Sequence, residues 1–420
     1  MVVANPESVN VRNAGVEAKP FQFLEGVTRR DRPLGFQWSA DYEAINALVG
    51  LPPCSSKKME RVMASIVVDV MLAGPFQRTS YSRSHEFYSV PARYRATDYG
   101  YDTVIGAVDR LVTAGLLIEH VKAPSGTIGT GWQSSFIGSP ALYRIHDVPT
   151  VARRSGEVIK LKDAKTGRLV DYRETRRTAA DRKVTAGINA HIRNAAIVLD
   201  APSIAEQSAR VIRFKTDDDH GAHAVYPEMT ELYRVYNGGW NLGGRYYGGW
   251  WQSVRATDRK HFVINGEQAV EEDYEQLHPR LLYAHAGEVL VGDAYTIDGW
   301  DRKLCKRAFN ILLNASNFHE AKASIARHTG DESVALNLIE AIKRKHFRVQ
   351  KFFHSGIGIR LQNIDSEMAK IVLTELTLRR GITVLPVHDS FIVPMSAREY
   401  LVRIMQEAFE RVTEAQRRAA

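Results

Sequence analysis

Two aspartates in short apolar frames constrain the fold of this chain more than any other feature. Asp389 lies between two apolar, β-rich segments at 383–387 and 391–394, so the sequence predicts a hairpin that presents His388 and Asp389 at its turn. Turns favour Asp on their own, which leaves a plain hairpin turn as the alternative. A charge at the tip of an apolar hairpin, however, needs a partner such as a metal ion.

The second aspartate, Asp273, follows a segment at 268–273 that predicts a strand ending at that residue. The apolar spacing of Leu277, Leu281 and Leu282 then predicts a helix. A single acidic residue after a strand is common, but two converging carboxylates can hold two divalent ions about 3.5–4 Å apart and support in-line phosphoryl transfer. We therefore expect two Mg²⁺ ions on Asp273 and Asp389, with Mn²⁺ as a substitute.

A basic cluster lies between the two aspartates and consists of Arg302, Lys303, Lys306 and Arg307. Arg302 and Lys306 share one face of a helix, because residues four apart are neighbours on a helix surface. Such a face can bind a triphosphate. The alternative is a solvated helix start, but cations are mildly unfavourable near a helix N-terminus, which favours a binding role.

The composition suits a polyanionic partner. The 420 residues include 56 Lys and Arg against 48 Asp and Glu, and the formal net charge is +8. The two cysteines, Cys54 and Cys305, are too few for an all-cysteine zinc site or a disulfide framework. The sequence has no apolar leader and no apolar stretch of about 20 residues. We expect a cytoplasmic monomer without a membrane partner.

The N-terminal half divides into a polar arm at 1–35 and a module at 36–150. The predicted elements of the module are helices at 57–72 and 101–114, strands at 116–121 and 136–144, and a Gly/Ser/Thr-rich tip at 123–131. Two helices followed by a hairpin resemble a winged helix-turn-helix, in which one helix enters a DNA groove. A small α+β domain that binds no DNA is the alternative.

The next region, 151–225, is basic and is interpreted as a thumb-like segment or linker. It includes a predicted helix at 175–199 that can follow a nucleic-acid backbone through phosphate contacts. The segment at 226–251 is rich in glycine and aromatic residues. Its aromatic residues either stack on bases or form a buried cluster beneath a loop.

Several motifs resemble those of family A DNA polymerases. Residues 273–280, Asp-Tyr-Glu-Gln-Leu-His-Pro-Arg, are similar to motif A, whose Asp binds both metals in that family. Residues 302–306 resemble the start of motif B, the fingers helix that grips the incoming triphosphate. Residues 387–390, Val-His-Asp-Ser, resemble motif C, which supplies the second metal-binding Asp. Residues 291–296 are similar to the segment that carries Asp-Ile-His-Thr.

The resemblance also implies residues that contact nucleic acid: Arg245, Gln252, Arg259, Gln362 and His388. All the motifs occur in the order of the family, and together they span roughly residues 226–415. The resemblance says nothing specific about residues 1–225.

Three departures concern nucleotide selection. His278 stands where motif A carries the Glu that excludes ribose, and Ser390 replaces the Glu of motif C. The motif B helix carries Asn310 and Asn314 where the family has aromatic residues, with Phe309 one position away. The resemblance assigns His278 and Asn310 to the nucleotide but leaves open which sugar is accepted.

These observations predict an α+β chain with a polymerase palm and a small fingers helix at 226–420, preceded by a winged-helix-like, mainly helical region. The expected activity is that of a compact DNA polymerase without proofreading, which extends a DNA primer–template with nucleoside triphosphates. An RNA polymerase or primase of the same superfamily and a non-catalytic DNA-binding protein are the alternatives. The small size fits a replication polymerase of a phage or plasmid.

Overall fold

The computed structural model describes residues 32–34, 38–74, 77–95, 98–121, 134–145, 152–153, 156–209, 211–215 and 223–419. The chain forms two compact units, one from 1–157 and 201–229 and the other from 158–200 and 230–420. The predicted basic region at 151–225 is therefore divided between both units. Nearly all of the predicted arm at 1–35, and the predicted hairpin tip at 123–131, lie outside the described residues.

The described residues form a mixed α+β fold. Its helices, in chain order, are α1 Tyr42–Val49, α2 Lys57–Ala73, α3 His85–Tyr88, α4 Tyr101–Thr113, α5 Arg176–Arg193, α6 Ala256–Arg259, α7 Leu277–His285, α8 Arg302–Asn314, α9 Phe318–Thr329, α10 Glu332–Lys345, α11 Gly358–Leu373 and α12 Arg398–Ala419. No helix in the described ranges is both long and apolar enough to cross a membrane.

Most strand pairs are antiparallel. The strands, in chain order, are β1 Arg32–Pro33, β2 Trp38–Ser39, β3 Thr79–Ser80, β4 Leu117–His120, β5 Ser135–Gly138, β6 Ala152–Arg153, β7 Ile159–Lys162, β8 Ile197–Leu199, β9 Ile204–Gln207, β10 Ile212–Phe214, β11 His223–Val225, β12 Tyr233–Asn237, β13 Gly243–Tyr247, β14 Phe262–Ile264, β15 Glu267–Asp273, β16 Leu385–Val387 and β17 Ser390–Pro394.

The first unit places α2 against α4 and carries a sheet in the order β1-β3-β5-β4. Ser56 starts α2 by accepting a hydrogen bond from the Met59 N–H. Both helices begin and end within one residue of the prediction. The predicted strand at 136–144 was too long, since β5 ends at Gly138 and a turn at Pro140 precedes a 3₁₀ helix at Leu142–Arg144.

The second unit is built on a five-stranded sheet in the order β16-β17-β15-β14-β8, in which every neighbouring pair is antiparallel. α12 packs on β15 and β17 and also contacts α7 and α11. The predicted helix at 175–199 was too long: α5 ends at Arg193, and Ile197–Leu199 pairs with β14 as an edge strand. The paired residues, Leu199 with Phe262 to Ile197 with Ile264, are 63 to 67 positions apart in sequence, so local periodicity gave no sign of the pairing.

A second sheet in the same unit, ordered β13-β12-β7, is tied to α5 and α11 by a buried ion network. Arg234 is 0% exposed and lies 2.8 Å from Glu367 and 3.3 Å from Asp181. Lys370 pairs with the same Asp181 at 3.0 Å. Removing one member would leave an uncompensated buried charge, so this network fixes α11 relative to β12 and α5.

Candidate active site

The predicted hairpin at 383–394 is confirmed, with His388 and Asp389 as the two residues between β16 and β17. His388 has a φ of 58°, in the left-handed region, which few residues with a side chain adopt. Pro386 is tolerated because β16 is an edge strand, where a missing N–H breaks no ladder bond. The short turn holds both functional side chains at one corner of the sheet.

Asp273 ends β15, as the sequence predicts, directly beside the hairpin. Its register partner on β17 is Ser390, the residue that follows Asp389. The Tyr274 N–H also donates to the Asp389 carbonyl at 3.3 Å. The sheet therefore brings Asp273 and Asp389 to the same end of two adjacent strands.

A cavity of about 580 Å³ opens at this end of the sheet. It is lined by Gln252, Arg259, Glu271, Asp273, Val387, His388, Asp389 and Ser390. Five of the residues predicted from sequence thus meet in one cavity. The site combines acidic, basic and amide side chains over a wall formed by β15 and the hairpin.

The electrostatics of the cavity disfavour two free carboxylates. Partial burial raises the pKa of Asp273, and the negative charges of Asp389 and Glu271 raise it further. The pKa of His388 is lowered by burial and by the Arg245 guanidinium, against the opposing effect of Asp389. A cation between the carboxylates would relieve this repulsion.

Glu271 is a site residue that the sequence reasoning missed. It binds Arg259 with two hydrogen bonds, from Nε at 2.8 Å and from Nη2 at 2.9 Å. The Ser390 hydroxyl donates to the same carboxylate at 2.6 Å. Glu271 and Asp273 are two residues apart on one strand and therefore point to the same face. This spacing of two residues on a predicted strand could have identified Glu271 from the sequence.

Gln252 is fixed by its amide group. Its Nε2 donates to the carbonyls of Tyr246 at 3.0 Å and Pro386 at 3.1 Å. The Trp251 indole donates to the same Pro386 carbonyl at 3.0 Å. The segment that follows β13 is therefore attached to the hairpin, and Gln252 is oriented before any ligand binds.

A second cluster joins two predicted residues through Asp365, which the sequence reasoning did not identify. Arg245 Nε lies 3.1 and 3.0 Å from the two Asp365 oxygens, and His278 Nε2 lies 2.9 Å from Oδ2. The Asp365 side chain is 1% exposed. The sequence placed Gln362 on this helix, but the buried position that faces β13 and α7 is three residues further along α11.

The basic residues of α8 lie on the helix surface, and Asp301 caps the helix by accepting from the Leu304 N–H at 2.8 Å. Arg302 Nη2 binds Asp293 at 2.6 Å. This ion pair, with N–H groups of Tyr295 and Thr296, lowers the pKa of Asp293 to about 2. The predicted phosphate-binding arginine is thus paired with a carboxylate in the ligand-free chain.

Tyr295 lies beside the basic face of α8 and within electrostatic range of Asp389. The Arg302 and Lys306 side chains lie 5.5 and 6.0 Å from the centre of its ring. Burial raises its pKa to about 12, and the Asp389 carboxylate contributes to the increase. Gln276, in the turn after Asp273, accepts from the neighbouring Ala294 N–H at 2.6 Å. The cationic helix face and the acidic cavity are therefore within electrostatic range of each other.

Other predicted residues lie outside the cavity wall. Those that do not line it are Arg245, His278, Arg302, Lys303, Lys306, Arg307, Asn310 and Gln362. Arg307 lies 3.2 Å from His328 Nδ1. Phe309 is 1% exposed and packs against Tyr295 and Phe353, so its ring is not available to stack on a base.

The donor set of the cavity fits a hard divalent cation, since carboxylate oxygens are what Mg²⁺ prefers. Within the described part of the chain, no three His, Cys, Asp or Glu side chains converge as a complete metal cage. Mg²⁺ is usually held by one or two carboxylates, with waters and substrate phosphates as its other ligands. Asp273 and Asp389 meet that requirement.

Comparison with known proteins adds no assignment. No protein-family model matches the chain, and no curated protein gives a significant match. The functional argument therefore rests on the residues and their geometry.

Proposed function

We propose that this chain is a template-directed nucleotidyltransferase, a compact DNA polymerase that extends a primer on a DNA template. The observation that carries the proposal is the placement of Asp273 and Asp389 on adjacent strands, at the wall of one cavity. The raised pKa of Asp273 supports it, because burial and the negative charges of Asp389 and Glu271 disfavour the charged carboxylate, which a bound cation would stabilise.

Asp273 and Asp389 would hold two Mg²⁺ ions, which when bound activate the attacking hydroxyl and neutralise the leaving pyrophosphate. The protein residues position the reactants. Glu271 and Ser390 stiffen the strand ends beside both aspartates through the 2.6 Å hydrogen bond. Gln252 is held to the hairpin by its amide nitrogen and lines the cavity, where it would contact the nucleic acid.

The triphosphate would bind the exposed face of α8. Lys306 offers a point charge, and Arg302 offers a fork that can bind two phosphate oxygens once it exchanges Asp293 for the ligand. The exchange is feasible because the Arg302 side chain is 53% exposed, and exposed ion pairs contribute little to stability. His278 and Arg245, joined through Asp365, would border the sugar and the nucleic acid.

The test is extension of a labelled primer on four templates that differ in the first unpaired base, with Mg²⁺ and each nucleotide in turn. The wild type should add the complementary nucleotide, and Asp389→Ala should abolish the addition. Glu272→Gln is the matched control, because Glu272 lies on the opposite face of β15 and pairs with Arg398. Addition that survives in Asp389→Ala would refute the proposal.

A second candidate is an RNA polymerase or primase. It is favoured by His278, which stands at the position expected to contact the sugar and whose imidazole is held 2.9 Å from Asp365. Residue 278 therefore offers no carboxylate that would exclude a 2′-hydroxyl. Incorporation of ribonucleotides and deoxyribonucleotides, measured in parallel with and without a primer, separates the two candidates. A ratio of kcat/KM that strongly favours deoxyribonucleotides would exclude the second one.

A further inference from the structure

The glycine- and aromatic-rich segment contains two kinds of tyrosine. Side chains alternate between the faces of a strand, and the buried face takes Tyr236 at 0% exposure and Tyr246 at 3%. Tyr233 and Tyr247 lie on the opposite face and are half-buried. These two residues are direct register partners on β12 and β13. From the sequence, the aromatic residues of this segment could form a buried cluster or an accessible surface. In the sheet, Tyr236 and Tyr246 are buried on one face, and Tyr233 and Tyr247 are partly accessible on the other.

The two half-buried tyrosines belong to a continuous row that reaches the cavity. The Lys160 ammonium lies 3.6 Å from the centre of the Tyr233 ring. The Tyr233 and Tyr247 ring centres are 6.2 Å apart, and the Tyr247 and His388 ring centres are 6.0 Å apart. We call Lys160, Tyr233, Tyr247 and His388 the tyrosine row. Its last member lines the cavity beside Asp389.

The backbone supports the row closely. Gly248 has a φ of 109°, and a Cβ at this position would lie 2.9 Å from Tyr233 Cε1 and 2.4 Å from the Glu231 carbonyl oxygen. Only glycine allows the chain to pass so near the ring in this conformation. The position of Tyr233 is therefore set by the fold before any partner binds.

We propose that the tyrosine row binds an unpaired segment of nucleic acid next to the acidic cavity, with a base on each tyrosine ring and a phosphate on Lys160. This inference rests on the proposed function for the identity of the strand. Stacked bases in a duplex are 3.4 Å apart along each strand. The ring centres of the row are 6.0–6.2 Å apart and the neighbouring rings are inclined at 32° and 66°, so bases resting on them would be neither parallel nor spaced as they are in a duplex.

Charge and continuity favour this occupant. Arg245 lies on the same face of β13 as Tyr247, two residues away, but its guanidinium is paired with the buried Asp365, so Lys160 is the cation that the row offers to a phosphate. Aromatic rings that alternate with cations along a surface are typical of single-strand binding proteins. Since the row ends at His388, a strand bound along it would deliver its end or its next base to the cavity.

The direct test is equilibrium binding of a fluorescently labelled oligodeoxythymidine in chelator-containing buffer, without nucleotide. Tyr233→Leu and Tyr247→Leu should each weaken binding roughly ten-fold, which lies within the range measured for loss of base–aromatic stacking. Tyr247→Phe should bind as the wild type does, because the ring is kept. An oligomer of the same length without bases should bind the wild type and both leucine variants equally.

Tyr400→Leu is the matched control, since Tyr400 on α12 is an exposed tyrosine that contacts Arg380 and Arg403 and is not a member of the row. It should leave the affinity unchanged. Lys160→Gln should reduce the slope of log affinity against log salt by about 0.7, the value for one phosphate contact on a single strand. Circular dichroism verifies that each variant is folded.

Unchanged affinity in both leucine variants would overturn the inference, and so would equal losses for the oligomer without bases. Equal losses for a blunt duplex would overturn the assignment to an unpaired strand. Because the assay contains neither metal nor nucleotide, it measures binding of the strand independently of nucleotide addition. A chain that binds the oligomer through the row but adds no nucleotide would refute the proposed function and leave the row in place.

Discussion

At the residue scale, the acidic cavity collects three carboxylates at one end of the sheet. Asp273 and Asp389 lie at neighbouring strand ends, and Glu271 adds a third carboxylate that is neutralised by Arg259. Among the described residues that line the cavity, Glu271 is the carboxylate paired with an arginine, Arg259. Burial raises the pKa of Asp273, and repulsion from the Asp389 and Glu271 carboxylates raises it further.

Asp389→Asn should stabilise the metal-free chain at neutral pH. After burial, the Asp389 charge is the main cause of the raised pKa of Asp273, and since Asp273 is exposed and solvent screens this repulsion, its removal should give about 0.2–1 kcal/mol. A carboxylate with a raised pKa loses stability as the pH rises through that pKa, so the gain should vanish as the pH falls and Asp273 is protonated. Urea unfolding with a chelator, from pH 7 down to pH 4, measures it.

The same experiment with Mg²⁺ supplies the control. Mg²⁺ should stabilise the wild type, because a ligand that binds only the folded state raises the free energy of unfolding, and it should stabilise Asp389→Asn much less. A variant that is less stable than the wild type in chelator at pH 7 would contradict the account of repulsion.

Glu271→Gln should destabilise the chain by about 1–3 kcal/mol, because it leaves the partly buried Arg259 without its carboxylate and weakens the bond from Ser390. Glu272→Gln breaks a pair with the exposed Arg398 and should cost less than about 1 kcal/mol. Urea denaturation of both variants gives the comparison. Equal losses would show that Glu271 has no special structural role.

At the element scale, the elements predicted correctly are those whose residue pattern is contained in a short stretch of sequence. The strand that ends at Asp273 and the hairpin at 383–394 were predicted because apolar β-rich residues and a polar turn are adjacent in sequence. The end of α5 was not predicted, because the strand that follows it, β8, is formed by pairing with β14, which is distant in sequence. Asp365 was missed for the same reason, since its partners lie on β13 and α7.

The helices around α8 depend on a buried neutral histidine. His346 is 0% exposed, and its ring nitrogens lie 3.0 Å from the Tyr283 hydroxyl and 2.9 Å from the Ala294 carbonyl. Burial lowers its pKa to about 4, against an ordinary value of 6.5. His346 thereby holds the segment next to Tyr295 against the end of α10.

Acid should therefore weaken the fold through His346. Between pH 6.5 and 4 the unfolded chain binds a proton that the folded chain does not, so the free energy of unfolding should fall by up to roughly 3 kcal/mol across this window. His346→Gln should flatten that part of the profile in urea unfolding, while His319→Gln, at an exposed position on α9, should not. Identical profiles for the wild type and both variants would contradict this role.

α8 offers a functional prediction under the proposed function. Lys306→Gln should lower kcat/KM for the incoming nucleotide roughly 10- to 100-fold, as expected for the loss of one charged hydrogen bond to a phosphate. Lys322→Gln on α9 is the matched control, because its ammonium pairs with Glu332 away from Tyr295. Steady-state kinetics with varied nucleotide measures both, and equal losses would remove α8 from the binding of the triphosphate.

At the scale of the whole molecule, the organisation was the hardest property to read from sequence. The unit with the acidic cavity is assembled from 158–200 and 230–420, while 201–229 belongs to the other unit. The predicted boundaries followed changes in composition, whereas the chain crosses between the two units at 157/158 and again at 200/201, both inside the region predicted as one segment at 151–225. The buried Arg234, Asp181 and Glu367 network explains why 158–200 belongs with the cavity unit.

The central claim is that Asp273 and Asp389 act as one catalytic centre. Its most direct test is the single-turnover rate of nucleotide addition for the wild type, Asp273→Asn, Asp389→Asn and the double variant. Groups that act as a unit are strongly non-additive, so each single variant should lose roughly a thousand-fold and the double variant little more. Losses that multiply in the double variant, or single variants that keep the wild-type rate, would contradict the claim.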